Sequence, residues 1–168
     1  AVAVGLLTAV TAAWGAFVAG LDAGLIYSRF PLMGDYPWPD SFGTGSALLA
    51  PVEEPGVVQF VHRLLATTTF AIAMWVGVRA WRSRLSPHTR RIVLLIPAAA
   101  LLQFALGVAT LLSHVPTSLG MLHQLGALVL LSAAIIALAE LDESPAVAPA
   151  AAADPGLSLA RRPHPVRP

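Results

Sequence analysis

Two histidines lie at matching positions inside apolar stretches of this 168-residue chain. His62 sits in Val57-Val58-Gln59-Phe60-Val61-His62-Arg63-Leu64-Leu65, and His123 in Leu119-Gly120-Met121-Leu122-His123-Gln124-Leu125-Gly126-Ala127. Each follows a proline by seven positions, Pro55 and Pro116, and each has a leucine two residues on. An ionisable side chain in hydrocarbon is costly and marks function by default. Two of them, on different helices of one bundle, have the chemistry and placement of axial ligands to one haem iron. The competing use for an intramembrane histidine is a hydrogen bond across the bundle. On the residues alone both uses stay open.

The elements that would carry these side chains are apolar spans. The chain is 57% hydrophobic and 11% charged, with a mean hydropathy of +0.74. That composition fits an integral membrane protein and a single compact helical unit. A crossing helix needs about 20 apolar residues. Four stretches qualify: 1–21, with a possible continuation past Asp22 to Tyr27, then 57–78, 92–112 and 119–139. Pro97 falls in the first turns of the third, where a proline is tolerated. The fold class is therefore an all-α membrane protein, a four-helix transmembrane bundle over 1–141. The Ala/Pro-rich remainder, 142–168, reads as a disordered cytoplasmic tail. The sequence holds no cysteine, which excludes disulfides, zinc–thiolate sites and iron–sulfur clusters. All ten basic residues are arginines, which suggests a GC-rich bacterial genome. The first residue is Ala1, already within an apolar run, and no signal-peptide pattern is present. The reading is a piece of a longer protein.

The loops orient the bundle. Between spans two and three lie Arg79, Arg82, Arg84, Arg90 and Arg91 without an acid. Between spans one and two lie Asp22, Asp35, Asp40, Glu53 and Glu54 against Arg29. The positive-inside rule places the arginine turn and both termini in the cytoplasm. His62 and His123 then both fall near the outer ends of their helices, as one bridging cofactor requires. The outer loop of about 35 residues, 22–56, is long for a connector. Its Tyr27, Phe30, Tyr36, Trp38 and Phe42 suit either an aromatic belt at the headgroups or a lid over the site.

Below each histidine the helical stripe is small. It runs Gln59, His62, Ala66, Thr69, Ala73 on one helix, and His123, Gly126, Ala127, Leu130, Ala133, Ala134 on the other. Such residues leave room for a flat macrocycle, or simply let helices approach. Arg63, next to His62, either snorkels to the interface or pairs with a haem propionate. His88 and His164 read as solvated, and His114 as interfacial. Asp22 lies within Ala16-x-x-x-Gly20-x-x-x-Gly24, a membrane exit with a small-residue packing face. A faint repeat aligns the two histidine segments and, before them, Phe17-x-x-Gly20 with Phe104-x-x-Gly107. No nucleophile triad, phosphate loop or nucleic-acid surface is evident.

The string Gly15-Ala16-Phe17-Val18-Ala19-Gly20-Leu21-Asp22-Ala23-Gly24-Leu25-Ile26-Tyr27, followed by Phe30-Pro31-Leu32-Met33-Gly34-Asp35, closely resembles haem A synthase of the mitochondrial and alphaproteobacterial type. So do Gln59-Phe60-Val61-His62-Arg63, Leu106-Gly107-Val108-Ala109-Thr110-Leu111-Leu112 and His123-Gln124. The resemblance runs from about Gly15 to Leu141 and is to the carboxy-terminal half of an eight-helix family. It implies a haem b held between His62 and His123. It implies an amino-terminal four-helix half as partner, which binds the substrate haem O and carries a catalytic glutamate. The residues just before His62 are Val58, Gln59, Phe60 and Val61, with no carboxylate, as the cofactor half would show, and Val61 stands where family members often have Asp. The implied reaction is oxidation of a haem O methyl group to the formyl group of haem A. This half would relay electrons from a donor, in the inner membrane of a bacterium or a mitochondrion. A stand-alone bis-histidine cytochrome b and a non-catalytic assembly subunit are the alternatives.

Overall fold

The computed structural model describes residues 1–43 and 49–143. Among the described residues there is no strand, and the helices are α1 (Val2–Gly20), α2 (Ala50–Glu53), α3 (Pro55–Arg82), α4 (Pro87–Leu112) and α5 (Thr117–Glu143). Four of them, α1, α3, α4 and α5, are long and apolar enough to cross a membrane. The expected fold class therefore holds. The tail expected over 142–168 lies outside the described residues from 144 onward.

Local chemistry sets the ends. Glu54 caps α3, its carboxylate accepting from the Val57 N–H at 2.6 Å, and Pro55 takes the first helical position. Ser86 caps α4 in the same way through the Thr89 N–H at 3.1 Å, followed by Pro87. Helix α4 closes with a Schellman motif: Val115 N–H donates to the Thr110 carbonyl and His114 N–H to the Leu111 carbonyl. His114 and Val115 both take left-handed backbone there, with φ of 60° and 55°.

Three expectations need correction. The first span does not continue to Tyr27: α1 stops at Gly20, Asp22 turns left-handed, and a single 3-10 turn follows. Pro97 is not in the first turns, because α4 begins at Pro87 and carries the arginines Arg90 and Arg91 inside its helix. Its ring instead fills a notch on α3, where a Cβ at Gly77 would stand 2.8 Å from Pro97 Cγ. Gly20 does not form a packing face, since a Cβ there would meet nothing within 4 Å. Gly24 does pack, with Val115 Cγ2 at 3.1 Å from where its Cβ would be.

The four long helices form a ring. Helices α3 and α5 each pack on both α1 and α4, so the two histidine-bearing helices stand diagonally. At the arginine end the core is apolar: Val4, Ala73, Val93, Ile96, Leu130 and Ala134 are all buried. There Thr89 Oγ1 donates to Glu140 Oε1 at 2.9 Å, tying the start of α4 to the end of α5. Substituting Gly77→Ala should overpack the α3–α4 seam by about 1–3 kcal/mol, more than the helix-propensity gain of about 1 kcal/mol. A lower thermal midpoint in detergent is the expected reading; an unchanged midpoint would show that the proline ring has room to move.

Candidate functional site

Toward the loop end the bundle opens into a cavity of about 470 Å³. That size lies within the range of cofactor pockets. His62 from α3 and His123 from α5 both line it. The structure thus brings the two histidines singled out in the sequence onto the wall of one cavity. Ala66 and Thr69 below His62, and Ala127 and Leu130 below His123, also line the cavity. Ala73, Ala133 and Ala134 continue these stripes into the packed end.

Each ring lies against a glycine of the preceding long helix. A Cβ at Gly15 of α1 would stand 3.3 Å from His62 Cε1, and one at Gly107 of α4 would stand 2.8 Å from His123 Cε1. This corrects the repeat read from the sequence. Gly15, not Gly20, is the counterpart of Gly107. Five residues turn a helix by about 140° beyond a full turn, so Gly20 faces elsewhere. Nδ1 of both rings is buried without a hydrogen-bond partner.

Arg63 lines the same cavity but is already engaged. Its two terminal nitrogens donate to the carbonyls of Tyr27 at 2.7 Å and Leu32 at 3.1 Å. Gln59, one turn earlier and 2% exposed, donates to the same Tyr27 carbonyl at 3.0 Å. Together they fasten the start of the outer loop to α3 on either side of His62. This latch sets Phe30 in the cavity wall, edge-on to Phe104 with ring centroids 5.9 Å apart. Tyr36 and Trp38 stack on each other instead and remain exposed. Phe30 is thus the loop aromatic that lines the cavity, while Tyr36 and Trp38 are exposed.

His114 is exposed at the turn after α4 and does not line the cavity, and His88 lies near Glu140 at the opposite end, 3.8 Å away. His164 lies outside the described residues. Gln103 is the residue that sequence reasoning passed over. The available signal was a lone carboxamide in an otherwise apolar span. Among the described residues no three His, Cys, Asp or Glu side chains converge.

The architecture defines a multi-pass membrane protein, a four-helix bundle whose diagonal helices present two histidines to one interior cavity. The family model described as COX15-CtaA, cytochrome oxidase assembly protein, matches residues 1–135. The chain belongs to this family. It is similar to Heme A synthase COX15 of Mus musculus, 44% identical over 140 residues, covering 83% of this chain and 34% of that protein. Heme A synthase of Granulibacter bethesdensis is 44% identical over 132 residues, 79% of this chain and 34% of that protein. Heme A synthase of Rhizobium meliloti is 47% identical over 123 residues, 72% and 33% respectively. The chain therefore spans about a third of the length of the curated relatives it matches. No solved structure matches it.

Proposed function

We propose that this chain is the cofactor half of a haem A synthase and holds one haem b between His62 and His123. The observation that carries the reading is the pair of imidazoles on one cavity, with glycine behind each ring and small residues below. The donor set fits: two neutral nitrogen ligands suit haem iron, and no rival metal cluster stands among the described residues. When bound, the haem would accept and pass on single electrons, and two histidine ligands leave its iron no open position for oxygen.

The chain's own residues do the rest. His62 and His123 would hold and orient the cofactor from α3 and α5. Phe30 and Phe104 exclude water from its edge. Arg63 keeps donors beyond those spent on the loop, including a buried Nε without a partner, and these reach toward a propionate. The positive-inside rule puts the arginine turn and both termini in the cytoplasm and the site at the outer side of a bacterial inner membrane. The partners are the amino-terminal four-helix half, which takes haem O, and an electron donor. The complete enzyme then converts the haem O methyl group to the formyl group of haem A. The bundle over 1–141 is the cofactor unit, and 142–168 is a cytoplasmic tail.

The test is optical. Full-length protein, purified from a strain that makes haem, should show a six-coordinate low-spin b-type spectrum. A five-coordinate spectrum alone, or no haem at this site, defeats the proposal. Substituting Arg63→Leu should lower haem occupancy and shift the midpoint potential. If both stay as in the parent, the guanidinium serves the loop and not a propionate.

A further inference from the structure

We propose that Gln103 is a positioning residue that sets the orientation of the His123 imidazole; this rests on the haem reading above. Its Nε2 donates to the His123 main-chain carbonyl at 2.9 Å. That carbonyl has a second lone pair to give besides its own helical bond. The other end of the carboxamide, Oε1, is buried with no hydrogen-bond partner. It lies directly against Gly126, where any Cβ would collide with it. At that distance only a glycine Cα–H can face the oxygen, a weak contact of a recurring kind. Both ends of one amide therefore grip α5, at the ligand residue and at the residue three positions on.

Gly107, one turn along α4 from Gln103, lies under the ring itself. Helix α4 thus meets His123 twice, at its backbone through Gln103 and at its imidazole through Gly107. A buried acceptor left without a partner is costly, and apolar packing alone would not call for an amide at this place. His62 has no such grip. The matching position on α1 is Thr11, whose hydroxyl bonds the Leu7 carbonyl at 2.7 Å and Thr69 Oγ1 at 3.1 Å. One axial ring is locked through a carboxamide, and the other is not. The angle between two imidazole planes governs the low-spin signal of a bis-histidine iron, so the lock has a spectroscopic readout.

The experiment uses full-length haem-loaded protein carrying Gln103→Leu or Gly126→Ala, with Gly20→Ala as control. Electron paramagnetic resonance of the oxidised protein and the midpoint potential are measured. The expected result is unchanged haem content and six-coordinate optical spectra in both variants. The g-values and potential should shift in the same sense in the two, and not in the control. If Gln103→Leu does not fold, Gly126→Ala, which keeps the amide but takes its seat, decides alone. Parental g-values and potential, or an equal shift in the control, overturn the proposal. Loss of haem from both variants assigns Gln103 to structure and overturns it as well. Absence of low-spin haem from the unsubstituted protein would defeat the haem reading itself, and is recognised before any substitution is made.

Discussion

Replacing His62 or His123 by alanine should abolish the low-spin spectrum of the b-type site proposed for the full-length protein. In the proposed site each ring would contribute one of two axial bonds, and the cavity wall offers no replacement. Arg63 cannot ligate, because a guanidinium stays protonated. Gln59 and Gln103 have spent their amide nitrogens on carbonyls, and a carboxamide oxygen is a poor ligand for haem iron. The outcome is a five-coordinate haem or none. The two single variants should behave alike, and the double variant should bind no more haem than either. A His62→Ala protein that keeps a full complement of low-spin haem would refute the assignment. A cross-helix hydrogen bond, the rival use of these histidines, predicts no spectral change at all, so a Soret measurement separates the two.

The second large effect is expected at a residue that cannot itself touch iron. Substituting Gly107→Ala should weaken haem affinity by about 10- to 100-fold, the usual cost of disturbing a group that orients a ligand. The new methyl group would start 2.8 Å from His123 Cε1, closer than Cβ atoms come to anything. The ring must tilt or α4 must shift, and α4 is held against α3 by Pro97 in the Gly77 notch. Gly15→Ala provides the internal scale. Its methyl group would start 3.3 Å from His62 Cε1, a strain that a few tenths of an ångström relieves, so the loss there should be smaller. Haem titration of the two apoproteins measures both. Equal affinities for Gly107→Ala and parent would show that the His123 ring is not confined from behind.

Much of this architecture was legible in the residues, for identifiable reasons. Span length and lack of charge announce a crossing helix whatever its neighbours do, and so the four long helices were found. Their ends were not. Arg79 and Arg82 remain helical at the end of α3, as do Arg90 and Arg91 at the start of α4. Hydropathy falls where the membrane ends, whereas a helix ends where its caps stand. The two histidines stood out because charge in hydrocarbon is rare. Gly15 did not, because a glycine in an apolar helix is common and its role depends on which face meets His62. Arg63 presented two uses at the level of sequence. Its partners, Tyr27 and Leu32, lie more than 30 positions away, and no local pattern encodes so long a reach. Gln103 shows in the sequence only as a lone carboxamide in an apolar span; the carbonyl it acts on has no sequence signature.

The diagonal placement of α3 and α5 has a genetic consequence. The span between the two imidazoles is inherited from the intervening pair, α1 and α4, through Gly15, Gly77–Pro97 and Gln103–Gly126. Slow divergence in those two helices can stretch or shorten it while both histidines persist. Second-site suppressors of a weakened histidine mutant should therefore map to α1 and α4 and to the residues they seat against, Gly77 and Gly126.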